Sequence, residues 1–408
     1  LSIGIAGEKG WKAASVGCTD MEGLPTRHAA RGGLGAVMGA KGIKAILVDD
    51  KGAPAVDLAD KDAFREKLKD WAELMKEDIR IQGMSKYGTT GNIVGNRTMG
   101  TMPSKNYSSE QTEGFEALSG PEFEPVNKKR GGRMTGCMAG CLVRCSTVYH
   151  DAEGKHLTSA LEYETLALLG TNLGIANPDV VARLDKWCDD LGLDTIEVGS
   201  AMGVAASAGK AEFGNADSIY ALFKEIEQET EFGKTLANGV VATCQALGIT
   251  RIPAYKGQAV PAHDPRATKS TGVTYHTSPM GADHTAGVSY DDRLSKEGQV
   301  KRSIGSQSFL ATLDTLAYCI LAIPGDVRAL MTFIKDLLNA RYGLSLEARD
   351  LYAIGTNVLK KELMFNEGTE FDKVHPYPEF FRTEPLAPDG SVFDVDPEEI
   401  AKFRELLD

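Results

Sequence analysis

The chain has 408 residues, 42% hydrophobic and 25% charged, which suits a globular protein with a sizeable core and two or three domains. A net charge of -12 and a pI near 5.2 exclude a nucleic-acid footprint and a basic membrane surface. No apolar run approaches the roughly 18 residues of a membrane span, no signal peptide opens the chain, and seven cysteines with three crowded together imply metal ligation in a reducing compartment, the cytoplasm.

The opening run Ser2-Ile-Gly-Ile-Ala-Gly7 reads as a strand entered mid-domain, so an earlier segment is expected to be missing. In Arg31-Gly-Gly-Leu-Gly-Ala-Val-Met-Gly-Ala-Lys41 the glycines at 32, 33, 35 and 39 either let the backbone approach a phosphate or make a tightly packed turn. A dinucleotide fingerprint is disfavoured, because Thr26-Arg-His-Ala-Ala30 is not the buried strand that should precede it. Ala45-Ile-Leu-Val48 is a strand candidate, and 51–60 reads as a linker.

Phe64, Leu68, Trp71, Met75 and Ile79 recur at helical spacing and predict one amphipathic helix from Asp60 to Ile79 with its stripe in the core. The Gly-, Thr- and Asn-rich stretch 83–107 is expected to be irregular, either mobile or lining a site. Cys137, Cys141 and Cys145 follow, four residues apart, a soft thiolate set suited to zinc or an iron-sulfur cluster but one ligand short.

Asp151-Ala-Glu-Gly154 predicts a hairpin turn, on which Glu153 and His156 are read as solvated rather than as a ligand pair. Glu162 and Glu164 lie in an otherwise apolar stretch, where carboxylates are costly unless paired or chemically active. Asn177-Pro178 opens a helix running to Asp189, Asp189-Asp-Leu-Gly-Leu-Asp194 breaks it, and Asp194 caps the next. A helix at about 233–247 ends at Gly248.

His263-Asp-Pro-Arg266 and Tyr275 to His284 then read as loop, dense enough in His and Asp to be a candidate site and too rich in Gly, Pro and Thr for a core helix. Cys319, in an apolar run, is by default a small core residue. From Asn339 the tail is read as helical, then Pro- and acid-rich, stopping within a helix.

Taken together these motifs resemble the tungsten-containing aldehyde ferredoxin oxidoreductase family over nearly the whole chain. The resemblance rests on the Arg31–Lys41 segment, Pro103-Ser-Lys-Asn-Tyr107, the cysteine triplet, Glu162-Tyr-Glu-Thr165, Asp189-x-x-Gly-Leu-Asp194, Asp264-Pro-Arg266 and Asp314-x-x-x-x-Cys319. It implies a mainly α (α+β) protein: residues 1–52 the end of a β-rich cofactor-base domain, 53–252 a helical domain with the cluster cysteines and the first pterin turn, 253–408 a second helical domain with the second turn.

The same resemblance implies a [4Fe-4S] cluster on Cys137, Cys141, Cys145 and Cys319, beside a tungsten ion held by two pyranopterins. It admits molybdenum in place of tungsten and Mg2+ bridging the pterin phosphates. One pterin would sit on Asp189, Gly192, Leu193 and Asp194, the other on Asp314, Ala317 and Tyr318. Arg31, Gly32, Gly33 and Gly35 would meet the phosphate side. The implied reaction oxidises a small aldehyde and water to a carboxylate, passing electrons to ferredoxin or an iron-sulfur subunit. Glu164 would be the general base, with Glu162 in reserve, and His284 would polarise the carbonyl.

The chain departs from the family pattern where three residues rather than two separate the first cysteines, and where Ala317-Tyr318 replaces Gly-Leu. The homodimer common in the family is compatible, although no helical Glu-x-x-His is found. The alternatives are a same-cofactor reductase resembling the benzoyl-CoA reductase subunit, a radical S-adenosylmethionine enzyme, and a non-enzymatic zinc or iron-sulfur module.

Overall fold

The computed structural model describes residues 1–369 and 378–407. It is mainly helical, with β structure in short antiparallel pieces: β1 (Val16–Cys18) with β2 (Arg27–Ala30), a sheet of β3 (Arg133–Thr135), β4 (Ser146–His150) and β5 (His156–Ser159) in that order, and β6 (Ala254–Tyr255) with β7 (Gln258–Ala259). This is the expected mainly α, α+β class. No described helix is long and apolar enough to cross a membrane.

Several elements differ from their sequence reading. Residues 2–7 are not a strand: Ser2 makes only single bridges to Gly17 and Ala45, and Ile5–Glu8 is a helical turn. The glycines there serve close packing, since a Cβ on Gly4 would lie 2.3 Å from the Leu191 carbonyl oxygen. The Ala45–Val48 strand also fails to form. Ile46 exchanges backbone hydrogen bonds with Leu1, and beyond it Leu47 and Val48 are 94% and 81% exposed.

The predicted long helix is two. Lys61–Glu77 starts on Asp60, whose carboxylate accepts the Ala63 N–H, and it buries Trp71 and Met75. Asp78 then caps a second helix, Ile79–Tyr87, and the change of direction leaves Ile79 82% exposed, outside the stripe. The stretch expected to be irregular continues helical through Gly88–Asn92 and Ile93–Thr98. Strain is concentrated further on: Lys105, Asn106 and Tyr107 have φ of 41°, 57° and 57°. The carbonyls of Asn106 and Tyr107 accept hydrogen bonds from Arg251, and that of Tyr107 also from Arg266, which hold the turn.

Apolar packing divides into two clusters. The larger surrounds the helices Tyr163–Leu168, Pro178–Leu191 and Thr195–Ser207. The smaller joins Trp71 and Met75 to Leu310, Leu313, Leu330, Ile334 and Cys145, with Trp71 stacked on Phe333 at 4.2 Å. Helix Lys61–Glu77 therefore shares its core with Val327–Tyr342, on the far side of the boundary expected at 252. The helix expected near 233–247 is split into Glu231–Ala237 and Gly239–Leu247, because Gly239 (φ 88°) packs against the Glu197 carboxylate.

The segment around Tyr275 is a correction of another kind. Lys269–Thr277 is a buried helix despite its Ser, Thr and Gly content. Its hydroxyls find partners inside the helix and beyond, Thr277 on the Val273 carbonyl and Thr274 on the Ser303 hydroxyl, so burial costs them little. The tail ends in short helices, Pro397–Ala401 and Phe403–Leu407; residues 370–377, part of the tail expected to be Pro- and acid-rich, and Asp408 lie outside the described residues.

Candidate active site

The two aspartate motifs fold into the same turn. Helix Pro178–Leu191 ends with Gly192 left-handed (φ 73°), the Gly192 N–H bonded to the Asp189 carbonyl and the Leu193 N–H to that of Cys188. Helix Gln299–Thr315 ends with Ala317 left-handed (φ 52°), the Ala317 N–H bonded to the Asp314 carbonyl and the Tyr318 N–H to that of Leu313. Both are Schellman motifs. The sixth residue starts the next element in each: Asp194 caps Thr195–Ser207, and Cys319 precedes the turn Ile320–Ala322.

Only one of these turns has the residue that its backbone prefers. A left-handed alanine costs about 1–2 kcal/mol, which glycine would avoid while losing about 0.5–1 kcal/mol to unfolded-chain entropy. Ala317→Gly is therefore expected to raise stability by up to about 1 kcal/mol, read from the midpoint of a denaturant melt. A lower midpoint would mean that the exposed methyl group makes contacts this accounting omits.

Asp194 also receives Arg31, whose Nε lies 2.9 Å from its carboxylate, while the remaining guanidinium nitrogens donate to the Ala282 and Ala259 carbonyls. Burial opposes the Arg31 charge, but Asp194, Asp283 and Glu197 outweigh it and keep the group ionised. Arg31 thus faces carboxylates and carbonyls, not the open phosphate cradle expected of it. Gly33 (φ 81°) begins helix Leu34–Ala40, and a Cβ on Gly35 would lie 2.3 Å from the Ser15 carbonyl oxygen, so this segment is a tightly packed turn. At Gly32 the added carbon would meet the Gln258 side chain instead.

Asp283 ties the two turns together. It lies 4.0 Å from Arg31, and after burial its charge is what pushes the Asp314 carboxyl up.

Asp189 lines a cavity of about 550 Å³ with Gly192, His28, Lys44, Lys186 and Thr158. Its carboxylate lies 2.9 Å from His28 Nε2, and His28 Nδ1 lies 2.7 Å from the Ser15 hydroxyl. Asp185, one helical turn earlier, shares the Thr158 hydroxyl with it at 2.7 and 3.2 Å. Burial, then the charge of Asp189, pushes the Asp185 carboxyl well up, and burial raises Asp189 also, against the pull of His28.

Carboxyls raised in this way keep protons that the unfolded chain releases above about pH 4. The folded state then binds more protons, so stability falls as pH rises through that window. Asp185→Asn should melt higher than wild type at pH 8, with the gap closing toward pH 4. Equal melting temperatures at both pH values would show that the pair is ionised without cost.

The cysteine loop and the second turn meet. Cys137 and Cys141 raise the Cys319 thiol electrostatically, after burial, and Cys319 and Cys141 do the same to Cys145, which burial and Glu162 push up to about 12. The Arg144 N–H donates to the Cys141 sulfur at 3.4 Å. Cys18, Cys188 and Cys244 lie elsewhere, the last two buried.

Glu162 belongs with this group and not with the trio around Glu164. Its carboxylate takes Arg27 at 2.7 Å and the Thr89 hydroxyl at 3.2 Å, and Arg27 keeps two buried guanidinium nitrogens without a partner. The ion pair with Arg27 engages the carboxylate expected in reserve for Glu164.

Glu164 sits on the first turn of helix Tyr163–Leu168, between two histidines. One carboxylate oxygen is fixed by the Ala262 N–H at 2.7 Å; the other lies 3.2 Å from His263 Nε2 and 3.7 Å from His284 Nδ1. The three ligand atoms all fall within 4.8 Å of one another, a two-histidine, one-carboxylate set able to take a divalent cation. Burial opposes the Glu164 charge, but His284, His263 and the Ala262 N–H bring it down to about 2 when the imidazoles are charged. Burial at the same time holds His284 below its ordinary value, so near neutrality the trio is a carboxylate beside a neutral His284.

The loop carrying His263 is clamped by three buried tyrosines. Tyr107, Tyr163 and Tyr275 donate their hydroxyls to the carbonyls of Val260, Ala262 and His263. Burial, then the Glu164 charge, raises all three phenols far above their ordinary range, so they remain donors. None was given a role from the sequence, where Tyr107 and Tyr163 stand only inside family motifs and Tyr275 only at the start of a loop; His263 was legible only as part of a His- and Asp-rich loop.

The sequence matches the family described as aldehyde ferredoxin oxidoreductase, N-terminal domain, over residues 1–50, and domains 2 and 3 over residues 66–408. It is 30% identical over 423 residues to the tungsten-containing aldehyde ferredoxin oxidoreductase of Pyrococcus horikoshii, covering 95% of this chain and 67% of that protein. It is 29% identical over 283 residues to the aliphatic sulfonate oxidoreductase, WOR-like subunit, of Pyrococcus furiosus, covering 64% of this chain and 44% of that one. The fold is similar, with TM-score 0.73 and 16% identity, to a solved active-site complex BamBC of benzoyl coenzyme A reductase with 1,5-dienoyl-CoA, over 100% of this chain and 70% of that one. A match from residue 1 to residue 408, interrupted only at 51–65, makes the chain a member of the aldehyde ferredoxin oxidoreductase family and therefore an oxidoreductase enzyme.

Proposed function

We propose that the protein oxidises a small aldehyde to its carboxylate on a tungsten-bis-pyranopterin, sending electrons through a [4Fe-4S] cluster to ferredoxin or an iron-sulfur subunit. The observation that carries this reading is the repeated turn: two aspartates in equivalent geometry, one turn ending in Asp194 and the other in Cys319. Pterin amino and ring N–H groups are donors, and Asp189 and Asp314 are the acceptors that match them.

The residues fit the implied groups. Tetrahedral zinc, with Zn–S near 2.3 Å, needs sulfurs about 3.8 Å apart. Among the described residues, however, only Glu164, His263 and His284 form a set of three or more ligand atoms within 4.8 Å. Cys137, Cys141, Cys145 and Cys319 act on one another electrostatically, and these four would hold the cluster. The bound metal would supply Lewis acidity and accept the electron pair. Protein residues would handle the protons: Glu164 takes one from water or hydrated aldehyde, and His284 faces the same space. Arg31 positions Asp194 without meeting phosphate, and any Mg2+ would be held by the pterin phosphates themselves.

A second reading, reduction of a coenzyme A thioester on the same cofactor, is favoured by the fold shared with the benzoyl coenzyme A reductase complex. The test is elemental analysis of anaerobically purified full-length protein, with viologen-coupled assays on aldehydes and on coenzyme A thioesters. Tungsten with four irons per chain and aldehyde oxidation supports the first reading; turnover of thioesters alone supports the second; zinc with neither metal overturns both.

A further inference from the structure

Behind Glu164 the polar contacts do not end at His263. The same imidazole that approaches Glu164 through Nε2 at 3.2 Å has its Nδ1 2.8 Å from the Tyr290 hydroxyl. His263 is buried and the Glu164 oxygen facing it is enclosed, whereas Tyr290 is 37% exposed. One ring therefore spans the distance from an enclosed carboxylate oxygen to a partly exposed tyrosine, with a polar atom facing each nitrogen.

The surroundings fix this ring. The Tyr275 hydroxyl holds the His263 carbonyl, the Tyr163 ring lies 5.4 Å from the imidazole, and the His284 ring lies 4.5 Å away on the side of Glu164. Burial and the Glu164 charge keep the Tyr290 phenol neutral through the physiological range, so its oxygen can accept one proton while its own O–H gives up another. Nothing else in the proposed chemistry requires a second histidine on Glu164, or a tyrosine bonded to that histidine's outer nitrogen.

We propose that His263 and Tyr290 form a proton relay that connects Glu164 with solvent. The inference rests on Glu164 being the proton-handling group of the proposed function. Oxidation of an aldehyde and water to a carboxylate releases three protons and two electrons; the electrons leave toward the cluster and an iron-sulfur acceptor, and protons need a separate way out. In the outward step, protonated Glu164 gives its proton to His263 Nε2. His263 Nδ1–H passes its own to the Tyr290 oxygen, and the Tyr290 O–H releases one to water. Each bond broken is matched by one formed; the imidazole ends as the Nε2–H tautomer and returns to the Nδ1–H form before it carries the next proton. For a reduction the same path runs inward.

Tyr290→Phe removes only the hydroxyl of a partly exposed residue and leaves His263 and Glu164 in place. The first measurement is independent of substrate: infrared bands of the Glu164–His263 pair, assigned by their loss in Glu164→Gln and His263→Gln, followed after mixing into D2O. Exchange should slow on the order of tenfold or more in Tyr290→Phe. The second is viologen-coupled turnover, where kcat should fall by a similar factor with KM unchanged, the solvent isotope effect should rise, and imidazole in the buffer should restore activity. Unaltered exchange in Tyr290→Phe overturns the relay even if turnover changes. A fully active Glu164→Gln overturns the functional reading beneath it; an inactive Glu164→Gln beside a Tyr290→Phe of wild-type kcat and exchange rate overturns the relay alone.

Discussion

Glu164→Gln is expected to lower kcat by roughly 10²–10⁴-fold, the range lost when a positioned acid-base group is removed. Glutamine keeps the shape and can still accept the Ala262 N–H, so the loop Val260–His263 should stay in place, held by its three tyrosine hydroxyls. What it lacks is the ability to take a proton at the oxygen facing His263 and His284. Iron and tungsten contents should match wild type, which separates lost chemistry from lost assembly.

The pH profile of the wild type adds a check with a definite sign. Burial opposes the Glu164 charge, but the histidines and the Ala262 N–H lower its carboxyl, so the base form is present throughout the working range. Burial lowers His284 from its ordinary value near 6.5, so it becomes charged only on the acid side of that value. Activity should hold from neutrality upward and decline below about pH 6.5 as His284 becomes charged beside the carboxylate. A variant keeping half the wild-type rate would remove Glu164 from the chemistry.

The elements legible in the sequence were those set by local chemistry. Asn177-Pro178 and Asp194 start helices where their side chains can cap them, the Asp151–Gly154 turn makes the β4–β5 hairpin, and Gly192 is left-handed where the helix must stop. What could not be read was set by distant neighbours. Lys269–Thr277 looks like loop until Ser303 and the surrounding core satisfy its hydroxyls. Asp60 to Ile79 looks like one helix until Asp78 caps a new one. At the site, the aspartates and cysteines stood out because their spacing repeats. By contrast, Arg27 meets Glu162 and His28 meets Asp189 across sequence separations of 135 and 161, for which no periodicity exists.

Cys319 is the residue whose reading changed most, from a small core side chain to the proposed closing ligand of a cluster, and its removal should have the second large effect. Cys319→Ala is expected to bring iron from four per chain to nearly none and to abolish the visible iron-sulfur absorption. The thiol sits at the start of the turn Ile320–Ala322, where the Leu321 and Ala322 amides lower it against burial and the charges of Cys137 and Cys141. A metal centre turns that mutual repulsion into shared ligation, and each thiolate must lose a proton to bind, so assembly couples to pH. With Cys145 held up to about 12 in the metal-free protein, cluster loading should release protons and weaken as pH falls. Cys188→Ala is the control: it removes a buried thiol of the larger core and should lower stability without changing iron content. Full iron in Cys319→Ala would mean that three cysteines suffice, and the second turn would then owe its cysteine to packing alone.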